Sequence, residues 1–305
     1  MVSSDSPARR KFRLPGAAGI AGSALCLLGA AVVIGPALSR FDYQERVGAI
    51  LQPPDAAHWL GTDDLGRDVL VRLLYGGRVS LAVGLTAALA AALAGTAVGF
   101  AAGLGGGWMD GLLMRLTDVF LALPALPVLL ILSAVDLDAP VADLQARIGR
   151  PDWNLTGWVY GVRLVVVVAL FGWMRTARLV RAQVLGLRES GFVLAARAAG
   201  VGSGTIAVRH LLPHCLGPIV VTAAAAVGGN ILYEAVLSFL GLGIPPPTPS
   251  WGSMLQNARA YSYYRAPWLI YFPGVCITVT VCCVNVLADH LQDRADPRRD
   301  HGVGN

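Results

Sequence analysis

Charge is what this sequence has little of. Of its 305 residues only 14% are charged, against 55% hydrophobic, where a soluble domain carries roughly 25% charged residues. The shortfall excludes an ordinary soluble globule and leaves a chain with much of its surface facing lipid. Catalytic signatures are missing as well. There is no GxxxxGK[ST] run to cradle phosphates, and no HExxH. The glycine clusters at Gly103–Gly107 and Gly200–Gly204 do not form GxGxxG, and neither lies in a strand–turn–helix setting. None of the five histidines (His58, His210, His214, His290, His301) sits in the middle of an apolar run beside a serine or carboxylate, so an intramembrane hydrolase lacks its base. The five cysteines (Cys26, Cys215, Cys276, Cys282, Cys283) form no CxxC pair and lie mostly in apolar runs. They read as small packing residues rather than zinc or redox ligands. The chain is expected not to be an enzyme.

What is present is a series of long charge-free runs. About 20 apolar residues cross the hydrocarbon, and a charge at its centre is costly. The runs predict about six transmembrane helices, at 16–38, 79–103, 113–135, 155–174, 216–238 and 267–288. Arg9, Arg10 and Lys11 precede the first run, but that run exceeds a signal's apolar core and no small-x-small cleavage site follows it. It is read as a retained anchor. Helix 2 carries Ala87, Ala91, Gly95, Gly99 and Gly103 at four-residue intervals, a row that lets another helix approach closely.

Net charge is +5, but the basic residues are dispersed beside the spans, as membrane topology requires, so no nucleic acid is expected. With the N-terminus inside, fourteen of the 24 basic residues fall on the cytoplasmic side, nine outside, and Arg163 within a span. Both termini are expected in the cytoplasm of a multi-pass cell-membrane protein. The chain then divides into an inner tail (1–15), the first span (16–38), an external segment (39–78), a core (79–290) with one long inner loop (175–215), and a second tail (291–305). The acidic outer loop at 136–154 has no evident purpose.

The inner loop carries the most distinctive pattern. Arg175-Thr176-Ala177-Arg178-Leu179-Val180-Arg181 continues helix 4 beyond the lipid. Phe192-Val193-Leu194-Ala195-Ala196-Arg197-Ala198-Ala199-Gly200 follows, a short small-residue helix ended by a glycine suited to a left-handed cap. Its alanine face is shaped to enter a groove of another protein. The loop closes on His210-Leu211-Leu212-Pro213, where proline marks a helix start.

This loop resembles the inner-membrane permeases of ATP-binding-cassette (ABC) importers, whose signature is Glu-Ala-Ala, three residues, Gly, nine residues, then Ile-x-Leu-Pro. Ala195, Ala196, Gly200, Leu212 and Pro213 match with the spacing intact. Leu194 stands at the glutamate position and His210 at the isoleucine position. Two further stretches look like the C-type permease subunit of dipeptide, oligopeptide and nickel importers. One is His58-Trp59-Leu60-Gly61-Thr62-Asp63-Asp64-Leu65-Gly66-Arg67-Asp68. The other runs from Glu234-Ala235-Val236-Leu237-Ser238-Phe239-Leu240-Gly241 to Pro249-Ser250-Trp251-Gly252. The resemblance spans about residues 56–290. It implies an all-α polytopic bundle of the type I importer permease class, acting as one of two permease subunits. Partners would be the second permease, two ABC ATPase subunits holding ATP and magnesium, an external solute-binding protein and the lipid bilayer. This chain would hold no cofactor or metal, and Leu194–Ala196, Gly200, Leu212 and Pro213 would dock the ATPases.

The outer motifs also have plain readings. Gly61, Thr62, Asp63, Gly66, Arg67 and Asp68 could form a turn in which Asp63 caps the helix carrying Arg67 and Arg72. The prolines from Pro245 to Pro249 could hold the outer loop extended. Within the spans, Glu234 shares a helix face with Asn230 and is expected to pair with a cation or hydrogen-bond donor of a neighbouring helix beside a gate, Arg163 being one candidate, or to meet solvent if its helix ends early. No His/Cys/Met cluster marks the outer loops, which favours peptide over nickel as cargo. An ion-coupled secondary transporter is the rival, but it would need buried ion-binding carboxylates and repeated broken halves.

Overall fold

The computed structural model describes residues 16–148, 155–259 and 265–295. Among them no strand forms. The only ladder fragments are isolated bridges from Arg46 to Arg67 and from Thr62 to Asp68. The protein is an all-α polytopic membrane protein. Among the described residues four helices are long and apolar enough to cross a membrane, and up to six crossings result if each of two bent pairs is one span.

Helix α1 is Ala17–Leu38 and α2 is Val69–Gly105. At 37 residues α2 starts ten residues before the expected span, because Asp68 caps it and its two early arginines are satisfied. Arg72 donates to the Tyr43 carbonyl at 3.1 Å. Arg78 reaches α1, where Pro36 lacks the N–H that the Val32 carbonyl would accept from. Its Nε donates to that carbonyl at 2.9 Å, and a second nitrogen donates to the Val33 carbonyl at 2.6 Å.

The third and fourth expected spans are broken. Helix α3 (Gly107–Ala122) and α4 (Ala125–Ser133) meet at 88°. Pro124 occupies the break, and Leu123 before it is extended at ψ 137°, as a pre-proline residue prefers. The described part of the loop expected to lie outside holds a helix of its own, α5 (Asp138–Ile148). Helices α6 (Leu155–Ala169) and α7 (Trp173–Leu187) bend by 48°. At that bend Gly172 lies so near α2 that a Cβ would sit 2.7 Å from the Ala91 Cβ.

The row of small residues on α2 seats α7. Ala87, Ala91, Gly95, Gly99 and Gly103 are all buried. Gly95 faces Trp173 and Thr176, Gly99 faces Ala177 and Val180, and Gly103 faces Val184. With no side chain between them, the two backbones touch, and dispersion replaces the hydrophobic drive that lipid does not supply. Beyond α7 come α8 (Gly191–Ala198), a single turn α9 (Ser203–Thr205), a π-helical turn (Ile206–Leu211) and α10 (Leu212–Phe239). Helix α11 (Trp251–Ala258) tucks Trp251 among α1, α2, α10 and the last helix, α12 (Trp268–Ala295). The Trp251 indole donates to the Leu73 carbonyl at 2.9 Å. Apolar side chains such as Leu85, Leu89, Leu93 and Val162 remain exposed on the bundle's flanks, as lipid contact requires.

Candidate functional site

A compact cap built by residues 42–68 covers one end of the bundle, and it is held by buried charge. Two left-handed glycines, Gly61 (φ 77°) and Gly66 (φ 76°), turn the chain. A Cβ on either would strike backbone, at 2.6 Å from the Gln52 carbonyl or 2.5 Å from the Gly48 carbonyl. Thr62 bonds the Ala49 carbonyl and accepts from the Gln52 N–H, while the Trp268 indole donates to the Thr62 carbonyl at 3.2 Å.

The cap of α2 is Asp68, not Asp63. Asp68 accepts the Val71 N–H at 3.1 Å and faces His58 Nδ1 at 2.9 Å. Asp63 folds its own turn, taking the Leu65 and Arg67 N–H groups and the Arg67 Nε at 2.7 Å, with the Arg72 Nε 3.3 Å away. Arg67 lies before the helix, so only Arg72 of the expected pair rides on it. Burial, then the charge of Asp63, holds the Asp64 carboxyl above its ordinary value, partly offset by Arg67 and Arg72.

Glu234 is fully buried one and a half turns before α10 ends, so it is not a solvated helix end. It does not pair with Arg163. Its Oε1 accepts the Ser238 hydroxyl at 2.7 Å, and Oε2 has no hydrogen-bond partner. Ser80 on α2 accepts the Trp251 N–H at 3.2 Å. Gly252 packs α11 against α10 so closely that a Cβ would sit 2.5 Å from the Ala235 carbonyl. Glu234 is therefore buried where α10 meets α2 and α11, with its hydrogen bond made inside α10. Arg163 instead donates to the carbonyls of Val135, Leu242 and Gly243 and lies over the Tyr160 ring at 4.3 Å. It ties α6 to the chain after α10. Asn230 is buried, and its amide approaches the Gly84 carbonyl of α2 at 3.4 Å.

Asn230 also lines a cavity of about 490 Å³ that the sequence did not disclose. Its walls come from both helix breaks (Leu123 and Ala125 on one side, Gly172, Met174 and Arg175 on the other) and from the small-residue face of α10 around Ala225, Ala226 and Gly229. The signals that point to it are Pro124 and Gly172, which interrupt two apolar runs without changing their hydropathy.

At the end opposite the cap, α8 lies across α7 and the π-helical turn. Val193 is fully buried among Val180, Val184, Ile206 and Leu211, whereas Leu194 is 51% exposed and Ala195 and Ala198 are open. Ala196 is half-buried against the same cluster, so it belongs to the helix's inner side. The helix ends in a full Schellman motif. Gly200 is left-handed at φ 78°, its N–H bonds the Arg197 carbonyl at 2.9 Å, and the Val201 N–H bonds the Ala196 carbonyl at 3.1 Å. Leu212 is half-buried, and Pro213 sits in the first turn of α10. Two ion pairs fasten α7 to α3: Arg181 grips Asp110 through Nε at 2.5 Å and a terminal nitrogen at 2.6 Å, and Arg178 meets Asp118.

A helical membrane bundle with a charged cap, a mid-bundle cavity at two broken helices and an exposed amphipathic helix is the anatomy of a transporter subunit. Residues 95–301 match the family of binding-protein-dependent transport system inner membrane components, and the chain belongs to that family. It is 39% identical to the oligopeptide transport system permease protein OppC of Escherichia coli K12, over 95% of this chain and 90% of that one. It is 37% identical to the dipeptide transport system permease protein DppC of Alkalihalophilus pseudofirmus, over 87% of this chain and 81% of that one. It is also 34% identical to OppC of Bacillus subtilis, over 87% and 80%.

Proposed function

We propose that this chain is a permease subunit of an ATP-driven peptide importer, with the cap end outside the cell and the α8 end in the cytoplasm. The family match carries the transport role, and the peptide names of its relatives support the cargo. In this reading a second permease completes the path, an external solute-binding protein delivers peptide to the cap end, and two ATPase subunits bind ATP and magnesium and receive α8. The exposed row of Leu194, Ala195 and Ala198 supplies the docking face, and Gly200 fixes where that helix stops.

The packing supports a route for the work of ATP hydrolysis. Val193 roots α8 in a cluster shared by α7 (Val180, Val184) and α10 (Cys215, Ile219). The same two helices wall the mid-bundle cavity. A displacement of α8 by closing ATPases therefore moves the cavity walls as rigid bodies, and the switch is driven by the partners' differential contacts. The chain itself makes and breaks no bond.

Reconstitution tests the reading. The chain, its second permease and the ATPases in vesicles with the binding protein should take up labelled di- or tetra-alanine only with ATP. The purified chain alone should hydrolyse none. Uptake of nickel in place of peptide, or uptake driven by an ion gradient without ATP, would refute it.

A further inference from the structure

We infer that Arg175 is the carboxylate-receiving group of the mid-bundle cavity, taking the C-terminal carboxylate of a peptide in transit; this rests on the peptide-importer reading above. Three arginines follow one another at single-turn spacing on α7. Arg178 and Arg181 are each matched by a carboxylate on α3. Arg175, one turn nearer the α6–α7 break, has no hydrogen-bond or ion-pair partner among the described residues and lines the cavity instead.

Arg175 is an exposed side chain toward one end of the cavity. Asn230 on the cavity wall contacts α2 at Gly84, and Trp173 and Thr176, which bracket Arg175 by two residues and one, contact α2 at Gly95. Those two levels are about 16 Å apart along the helix. An unmatched guanidinium open to a cavity, beside two that are paired, is a candidate for holding a carboxylate.

The backbone adds to the same field. Helix α4 starts at Ala125 and α7 at Trp173, neither start has a side-chain cap, and the first turn of each lines the cavity. Helix N-termini carry partial positive charge and free N–H groups, and halves of broken helices commonly aim them at a carried anion. The remaining wall is apolar or neutral: Phe120, Leu121, Phe171 and Ala225, with Asn230 and Tyr233 as the polar relief. One fixed positive focus in an otherwise undemanding cavity suits a cargo with a constant anionic end and variable side chains. A peptide with a free C-terminus is such a cargo.

The test uses the whole importer in vesicles at saturating binding protein, comparing labelled tetra-alanine with its C-terminal amide (or dialanine with its amide if the wild type imports the dipeptide). The wild type should turn over the free acid about tenfold faster than the amide, and Arg175→Gln should erase that ratio by slowing the acid alone. Arg175→Lys should restore most of it, and binding-protein-stimulated ATP hydrolysis should stay within twofold of wild type in both variants. Equal slowing of acid and amide by Arg175→Gln, or loss of ATP hydrolysis, would make Arg175 a structural or coupling residue and overturn the inference. If Arg175→Gln does not assemble, the wild-type arm still decides, because equal turnover of acid and amide removes the carboxylate contact. Absence of any wild-type peptide uptake counts instead against the importer reading.

Discussion

Replacing Val193 by Ala and, separately, Ala195 by Glu separates what helix α8 does for its own fold from what it does for a partner. Val193 is fully buried among Val180, Val184, Ile206 and Leu211. Its truncation removes two methyl groups, at about 0.8 kcal/mol each for transfer alone. The space left behind adds to that, for a total of about 2–3 kcal/mol. Thermal unfolding of the detergent-purified chain should shift down by about 5 °C or more. Ala195 is exposed on the opposite side, so Glu there should change the isolated chain's stability by less than about 0.5 kcal/mol. In a docked groove the same carboxylate is desolvated without a partner, which costs about 3–5 kcal/mol. That is at least a hundredfold in association with the ATPases. Co-purification of tagged ATPase subunits measures it, alongside peptide uptake. Wild-type co-purification and uptake by Ala195→Glu would remove α8 from the docking interface. An unshifted melting curve for Val193→Ala would refute the anchoring of α8 by that cluster.

Three further outcomes follow from single positions. Gly200→Val meets no neighbour within 4 Å but must hold a left-handed φ of 78°, so its cost is backbone strain of about 1–2 kcal/mol; uptake should fall while membrane insertion, read by protease protection of the tails, is kept. Gly99→Leu puts a side chain where a Cβ alone would sit 2.7 Å from the Ala177 carbonyl; the α2–α7 seam should open and the yield of monodisperse protein on size exclusion should collapse, unlike Gly111→Leu, where the structure leaves open space. Glu234→Gln keeps an acceptor for Ser238, whereas Glu234→Leu leaves that buried hydroxyl without one. Leu should therefore reduce uptake and melting temperature well beyond Gln, and near-normal behaviour of both would take Glu234 out of the junction's energetics.

The parts of this fold that were legible in the sequence are those fixed by local chemistry. Hydropathy located the crossings, because a lipid-facing helix cannot hide a charge. The Ala87-to-Gly103 row announced the α2–α7 seam, and Gly200 announced the end of α8, since only a residue without Cβ is at ease there. What stayed hidden depended on partners distant in the chain. Residues 113–135 read as one span because Pro124 sits in an apolar run and leaves its hydropathy unchanged. From the sequence, Glu234 calls for a cation or a hydrogen-bond donor on a neighbouring helix, with Arg163 as one candidate. In the structure Glu234 bonds a hydroxyl within its own helix, while the two terminal nitrogens of Arg163 donate to carbonyls up to 80 residues away and its Nε is left without a partner. Asp63 had the look of a cap, yet Asp68 serves, because the turn through Gly66 uses Asp63 first.

These hidden features give the subunit its mechanical sense. A straight third and fourth span would pack along α2 and α10 without leaving room between them. The breaks at Pro124 and Gly172 make room, and they do so at one level of the bundle, so a single cavity results. The element that closes the cavity toward α8, the first turn of α7, is continuous with the helix that seats on the glycine row and carries the α3 ion pairs. Helix α7 is attached to α2 along its apolar side, to α3 through Arg178 and Arg181, and to α8 and α10 through the cluster around Val193. A helix held in that way rotates with its neighbours or not at all, which is why the cavity wall and the docking face are expected to move together.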